Sequence, residues 1–410
     1  MPKVPRGERV VIAIAGRRNA GKSSLINALT DQEIAIVSQQ PGTTTDPVSK
    51  PYELLPLGPV TIYDTAGIDD VGELGQKRVK STRRILWRSD IAVIVADEKG
   101  LIPEVKKLID EIRELDLPFI VVFNKSDITE PKESDLDFCK DKSITYEVVS
   151  SITKSRIREL KEKIVDLVPA DLKKEKVLIG DLVTAGERVV LVVPIDLAAP
   201  KGRLILPQVQ VLREILDNDA LGIIVKEREL EAAFTGLKSK PDLVVTDSQV
   251  ILKVTGDVPP EVKLTTFSIL FARYKGDLDK LVVGAEKIDK LKNGDKVLIA
   301  EACSHHVQAD DIGRVKIPRW LRQFTGKKLQ FEVYSGHDFP ENLEEFALAI
   351  HCGGCMANRM EMMRRIKECT RRGVDITNYG VAISKLHGVL DRVIKPFYWE
   401  KSDQLDFFKD

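Results

Sequence analysis

Two groups of residues could do chemistry, and they lie far apart in the sequence. Towards its end, Cys303 and His305 stand in "EACSHHVQADD", and His351, Cys352 and Cys355 stand in "AIHCGGCMANRM". Thiolates are soft ligands, and a Cys-x-x-Cys pair grips one metal centre from a single turn. The two glycines between Cys352 and Cys355 free that turn sterically. Three thiolates and one further ligand suit a zinc site of Cys₃His type. They equally suit a [4Fe–4S] cluster with one non-cysteine or exchangeable position. Candidates for the fourth position are His305, His351, a carboxylate such as Asp310, or water. Spacing leaves zinc and iron–sulfur both open.

The second group lies near the start. "GRRNAGKSS" fits G-x-x-x-x-G-K-[ST] from Gly16 to Ser23. In that pattern backbone N–H groups cradle a phosphate, and the following helix presents its positive dipole end to it. The cradle comprises Gly16, Asn19, Ala20, Gly21, Lys22, Ser23 and Ser24. Lys22 would reach the β- and γ-phosphates, and Ser23 would ligate Mg²⁺. "DTAG" follows at Asp64–Gly67. Asp64 can hold Mg²⁺ through its water shell, and the Gly67 N–H can sense the γ-phosphate. "NKSD" supplies Asn124, Lys125 and Asp127. Asp127 can accept two hydrogen bonds from a guanine N1–H and N2–H₂ edge, which adenine cannot supply. Ser150 and Ser151 are the expected last base-contacting loop, so the implied ligand is GTP or GDP. Ile68 stands where many GTPases place a water-orienting glutamine, so hydrolysis is expected to be slow.

The elements that position these groups follow from hydrophobic pattern. Up to about residue 168, apolar runs such as "RVVIAIAG", "VTIYDTAG", "IAVIVADE" and "PFIVVFNKSD" alternate with helical patterns. That is the rhythm of a doubly wound, mostly parallel sheet. The fold class is therefore α/β, with an N-terminal P-loop domain and two smaller α/β domains behind it. The expected boundaries are 1–170 for nucleotide binding, 171–264 for a middle domain without Cys, His or a glycine loop, and 265–410 for the metal domain. "KVLIAEAC", "LQFEVYSG" and "FALAIHCG" are expected strands, the first and last running straight into the Cys/His stretches. If they share one parallel sheet, their carboxyl ends converge on a common crevice. No internal repeat is evident from the sequence.

Lys+Arg and Asp+Glu balance at 63 each, which gives no general electrostatic argument for nucleic acid or an anionic membrane. The start "MPKVPRGERV" lacks an apolar signal-peptide core, and no apolar run suits a membrane span. Five cysteines, four of them after residue 300, are no secreted disulfide framework. A cytoplasmic protein with metal or redox chemistry is expected.

The nucleotide motifs resemble those of the Era and tRNA-modification branch of translation-factor-type GTPases. That likeness implies that Thr44, in "QQPGTTTDP", is the magnesium-binding threonine of switch I, with Thr43 and Thr45 beside it. It also implies that Asn19 binds K⁺, as in potassium-stimulated relatives. The whole layout is similar to the [FeFe]-hydrogenase maturation GTPases of the HydF family, whose pattern C-x-H…H-C-x-x-C is matched by Cys303, His305, His351, Cys352 and Cys355. The resemblance implies a [4Fe–4S] cluster on Cys303, Cys352 and Cys355, and a homodimer built through the middle domain. It further implies a scaffold that receives a diiron precursor and delivers it to apo-[FeFe]-hydrogenase, with radical-SAM maturases as partners. The competing readings are a zinc-containing GTPase acting on RNA or ribosome assembly, and a nucleotide-gated interaction protein with a structural metal.

The remaining candidates have plainer roles. His306 is expected beside the site, and His337, at the end of another expected strand, is a further candidate for lining the same crevice. His387 and the Met356, Met360, Met363 stripe are expected to be structural, and Cys369 a buried inert thiol.

Overall fold

The computed structural model describes residues 6–31, 48–68, 72–169, 177–194, 204–302, 311–336, 339–340, 342–354 and 357–398. The chain forms two compact units, Met1–Glu175 and Lys176–Asp410.

The first unit holds a six-stranded sheet in the order β2-β3-β1-β4-β5-β6. Its strands are β1 (Val10–Gly16), β2 (Val48–Leu54), β3 (Gly58–Asp64), β4 (Ile91–Ala96), β5 (Phe119–Phe123) and β6 (Tyr146–Val148). All neighbours run parallel except β2, which is antiparallel to β3. β4 is buried along its whole length, as a strand covered on both faces must be. One face packs on helices Lys22–Thr30 and Ile157–Leu167 through Leu25, Ile26, Leu160 and Ile164. The other packs on helices Gly72–Arg88 and Pro103–Glu114 through Ile85, Val105 and Ile109.

The second unit contains two four-stranded parallel sheets. One has the order β10-β9-β7-β8, from β7 (Arg188–Val192), β8 (Leu221–Val225), β9 (Leu243–Thr246) and β10 (Lys263–Thr266). The other has the order β12-β11-β13-β14, from β11 (Lys296–Glu301), β12 (Gln330–Ser335), β13 (Leu348–His351) and β14 (Asp375–Asn378). β10 spans the position expected to separate the last two domains.

The absence of a repeat in the sequence reading is corrected here. Both sheets follow one topology, second-first-third-fourth strand, and their registers correspond. Val189 faces Leu243 and Gly222, just as Val297 faces Leu348 and Phe331. Thr246 pairs with Thr266, just as His351 pairs with Asn378. Thr266 and Asn378 each cap the helix that follows, Phe267–Lys275 and Tyr379–Leu386. Those two helices pack on each other, and a Cβ on Gly380 would lie 2.2 Å from the Cβ of its counterpart Ser268. Each half also lends a helix to the other: Leu278–Ala285 packs on β14, and Leu390–Ile394 packs on β10. A single apolar core runs through both, from Val190 and Leu264 to Val297 and Val393. The repeat escaped the sequence because it preserves residue class and register rather than identity.

The exchanged helix approaches β14 closely. A Cβ on Gly284 would sit 1.9 Å from the Ile376 carbonyl oxygen, and backbone cannot yield as a flexible side chain can. Gly284→Ala is expected to destabilise the second unit by about 1–3 kcal/mol. In scanning calorimetry of the full chain, its unfolding transition should fall while that of the nucleotide domain stays in place.

Candidate functional site

The nucleotide cradle is assembled at the carboxyl ends of β1, β3 and β5. Gly16 closes β1 against β4, where a Cβ would lie 2.3 Å from the Val95 carbonyl oxygen. Asn19 (φ 62°) and Gly21 (φ 88°) both adopt left-handed backbone, which Asn and Gly tolerate best. That conformation turns the loop into the helix Lys22–Thr30. Lys22 Nζ folds over the loop and donates to the carbonyls of Gly16 (3.1 Å) and Arg17 (2.6 Å). Ser23 Oγ donates to Asp64 Oδ2 at 2.5 Å, so the two oxygen groups expected around Mg²⁺ stand together.

The base-side residues form one network with the cradle. Asn124 Nδ2 donates to the Ala20 carbonyl at 3.1 Å. Asn124 Oδ1 accepts from the Ser151 N–H (3.1 Å) and Oγ (2.8 Å). Ser150 Oγ donates to Asp127 Oδ1. Lys125, also left-handed at φ 66°, reaches Glu98 at 2.8 Å. Gly67 is buried, and the adjacent Ile68 turns its side chain into the sheet's core. Ser24 is exposed. Thr43, Thr44 and Thr45 lie outside the described residues.

The second crevice lies at the carboxyl ends of β11 and β13, which are neighbours in one sheet. The Cys352 N–H donates to the Ala300 carbonyl at 2.8 Å, and the Ala302 N–H donates to Cys352 Sγ at 3.1 Å. Ala302, Ala357 and Met362 form the apolar lining beside Cys352. Ala302 and Gly354 immediately precede Cys303 and Cys355 in the chain. Cys303, His305, His306, Asp310, His337, Cys355 and Met356 themselves lie outside the described residues. Among the described residues no group of three or more His, Cys, Asp or Glu could hold a metal.

His351 is fully buried, and both its ring nitrogens are engaged. Nδ1 lies 2.6 Å from the Cys352 carbonyl oxygen, and Nε2 lies 2.7 Å from Arg365 Nη1. Arg365 can only donate, so Nε2 accepts and Nδ1 carries the proton. Burial, helped by the Arg365 charge, pushes the imidazole down to about 3, so it stays neutral. Both nitrogens of His351, a candidate fourth ligand, are thus engaged in this arrangement. Arg365, itself fully buried, also pairs with Glu361 (2.7 Å) and donates to the Gly336 carbonyl (2.9 Å).

Several residues at this crevice were missed in the sequence. Lys275, 3% exposed, donates to the carbonyls of Gly354 (3.0 Å) and Ala357 (2.9 Å) and so pins the Cys-Gly-Gly-Cys turn from below. Arg359 donates to the carbonyls of Tyr274 and Gly276 and ties the same turn to the same helix end. Glu301, 1% exposed at the end of β11, is held by Arg314 and Ser335, each at 2.8 Å. The Tyr379 hydroxyl is shielded from solvent and has no hydrogen-bond partner among the described residues. Burial, then the negative groups Cys352, Glu301 and Asp311, raise it well above the usual phenol range. Only the Glu361–Arg365 pair, at helical i,i+4 spacing, carried a sequence signal.

The other candidates take the plain roles. His387 stacks edge-on against Trp320, with ring centroids 5.0 Å apart. Met360 and Met363 are half-buried, and Met363 packs on the core. Burial pushes the Cys139 thiol up to about 11 and the Cys369 thiol up to about 12.

Comparison with known proteins finds three matching regions. Residues 279–396 match the hydrogen maturase F tetramerization domain, and residues 178–276 the hydrogen maturase F dimerization domain. Residues 11–125 match the 50S ribosome-binding GTPase family. The GTPase Der of Thermotoga neapolitana is 39% identical over 137 residues, 32% of this chain and 31% of that one. The tRNA modification GTPase MnmE of Desulforamulus reducens is 38% identical over 127 residues, 30% of this chain and 27% of that one. The chain thus spans about a quarter to a third of the length of these curated relatives. Among solved structures, the G domain of the T. maritima FeoB iron transporter is 26% identical with a TM-score of 0.32, covering 39% of this chain and 99% of that one. No helix among the described residues is long and apolar enough to cross a membrane.

Two expectations follow. Asn124→Ala removes the tie to Ala20 and the acceptor for Ser151, so GDP and GTP affinity measured by calorimetry should fall about 10- to 100-fold. Cys139 and Cys369 should resist iodoacetamide in the folded chain. Their raised thiols lose a proton only at high pH, so even at pH 9 roughly 1% or less is thiolate. Peptide mass mapping should show both modified only after denaturation.

Proposed function

The chain belongs to the hydrogen maturase F family, and from that premise we propose that it is a GTP-hydrolysing scaffold for assembling the [FeFe]-hydrogenase active site. In this reading it holds a [4Fe–4S] cluster on Cys303, Cys352 and Cys355. Its cargo is a diiron precursor, received from radical-SAM maturases and delivered to the apo-hydrogenase. The observation that carries the reading is the pairing of β11 with β13, which turns Cys352 Sγ onto the Ala302 N–H immediately before Cys303.

The residues of the crevice fit a thiolate-bound group. A backbone N–H aimed at Cys352 Sγ favours the thiolate, the form that ligates metal. The unpartnered Tyr379 hydroxyl offers a donor to something absent from the described chain. When bound, the cluster would supply an iron with an exchangeable position, where cargo can be gripped or released. His305, Asp310 or water would hold that position. His351 orients the turn through its Cys352 contact and leaves the ligand role to them. Lys275 and Arg359 keep the turn fixed while the exchangeable position changes hands.

The nucleotide site would work as a switch. Lys22, Ser23 and Asp64 hold the phosphates and Mg²⁺, with Asn124 and Asp127 selecting guanine. The switch segments around Thr44 and Gly67 would change order with the γ-phosphate. Ile68 packs into the core and cannot orient the attacking water, so turnover is slow, and a K⁺ at Asn19 would stimulate it. Self-association is supported by the dimerization and tetramerization matches. Thiol-rich metal chemistry suits a reducing cytoplasm.

Anaerobic reconstitution tests the reading. The wild-type chain should take up about four iron and four sulfide. Cys352→Ser should lose most of both while keeping its GTPase rate. One zinc and no iron after anoxic purification would instead favour a zinc-stabilised GTPase acting on RNA or the ribosome.

A further inference from the structure

The chain passes from the first unit into the second at Glu175 and Lys176, and Leu178 follows directly after Val177. That entry is clamped. The Glu214 carboxylate accepts from three successive backbone N–H groups, those of Leu178 (2.8 Å), Ile179 (3.0 Å) and Gly180 (2.9 Å). Arg273 grips Asp181 with two bonds, at 2.6 and 2.8 Å, and donates to the Leu178 carbonyl at 2.9 Å. Such a two-pronged, charge-assisted fork fixes direction as well as distance.

Arg273 lies in the last turn of helix Phe267–Lys275, two residues before Lys275. Lys275 holds the carbonyls of Gly354 and Ala357, and Arg359 holds those of Tyr274 and Gly276. Residues two apart on a helix lie about 200° apart around its axis. One helix end therefore carries two grips on opposite sides, one on the entry and one on the chain after Cys352. The helix cannot easily absorb a displacement between them. Its Leu270 and Phe271 lie in one buried apolar cluster, and Ile269 and Ala272 in another. It packs on helix Leu206–Asp217, which carries Glu214, and on helix Arg359–Arg371. A close-packed interior passes strain on rather than yielding to it.

We propose that the end of helix Phe267–Lys275 is a mechanical link that joins the entry at Leu178–Asp181 to the chain around Cys352. With Arg273 on Asp181, the helix end is seated and Lys275 keeps its hold on Gly354 and Ala357. A pull on the entry that parts Arg273 from Asp181 frays the helix end and relaxes that hold. The seated and frayed ends are the two states the link needs, and such local opening is far cheaper than global unfolding. Coupling of this kind runs both ways. The inference rests on the nucleotide-switch reading given above for the source of the pull, whereas the link itself lies within the second unit.

Hydrogen exchange of the full chain, read by mass spectrometry, tests it in the wild type, Arg273→Gln, Lys275→Gln and the double variant. Arg273→Gln should speed exchange at the Ile179 and Gly180 amides. It should also speed exchange by about tenfold at the Cys352 and Ala357 amides, which donate to the Ala300 and Gly354 carbonyls. Lys275→Gln should in return speed exchange at the entry. The double variant should fall short of the product of the two effects, because both fray the same helix end. Asp181→Asn, which removes only a charge, should act in the same direction if Arg273→Gln fails to fold. An entry that loosens while Cys352 and Ala357 exchange as in the wild type overturns the proposal. Exchange at Cys352 and Ala357 in the wild type should also differ between GDP and a non-hydrolysable GTP analogue, and Arg273→Gln should abolish that difference. A wild type indifferent to the nucleotide, with the variants coupled as stated, overturns the switch reading and leaves the link standing.

Discussion

The crevice depends on the register of β11 against β13. Ala300 pairs with His351, and from that pairing the rest follows. The Cys352 N–H meets the Ala300 carbonyl, and the Cys352 sulfur then meets the Ala302 N–H. Side chains alternate along a strand, so a slip of one residue would turn Cys352 away and bring His351 out of its buried contact with Arg365. The register is secured by burial. Val297, Leu298, Ile299, Leu348, Ala349 and Ile350 are all covered, and any slip would break a close-packed core. A small ligating turn is thus held by a large apolar contact some residues away from it.

The duplicated architecture puts the site in context. Where β13 ends in His351 and Cys352, the corresponding strand β9 ends in Thr246 and Asp247. Both ends lie at a switch point, where adjacent strands lead off in opposite directions and leave a gap between loops. The two halves share a scaffold, and among the described residues only one carries a thiol at the gap, Cys352. The thiol-free half still contributes to the other's site. Lys275, at the end of helix Phe267–Lys275, reaches across to the carbonyls of Gly354 and Ala357. The equivalent position in the second half is His387, which stacks on Trp320 instead. Symmetry in the backbone has been broken by side chains that specialise one gap.

How much of this was legible follows from what each element displays. β1, β4 and β5 are continuous apolar runs because they are buried on both faces, so the sequence shows them plainly. β10 and β14 are four residues each, three of the four in each being Thr, Asn, Asp or Lys, and too short for a period to register. β2 contains Pro51 and the buried Lys50, which argue against a strand until its antiparallel edge position is known. The thiols of the crevice were legible because Cys and His are scarce in this chain. Lys275 and Arg359 were not, because their partners are backbone carbonyls far off in sequence. His351 was legible as a chemical group, but its contact with Arg365 was not, since that depends on where Arg365 folds.

The cations around the crevice bear on how the proposed site would bind and still let go. A thiolate-ligated centre is anionic, and nearby positive charge stabilises it. Lys275, Arg314 and Arg365 supply that charge, but each is anchored elsewhere by the hydrogen bonds described. Lys275 is directed at carbonyl oxygens, Arg314 at Glu301 and Ser335, and Arg365 at Glu361, Gly336 and His351. Charge acts through space, whereas a hydrogen bond needs a directed donor. In the proposed reading these cations would stabilise an anionic centre through space while the hydrogen bonds described go to the chain itself. Had one of these guanidinium groups been aimed at that position, an incoming anionic group would have met a charge-assisted bond worth roughly twice a neutral one. Release would then have been slowed in proportion. Under the proposed carrier reading, cations held back by their own anchors would favour a stable centre whose open position is weakly held.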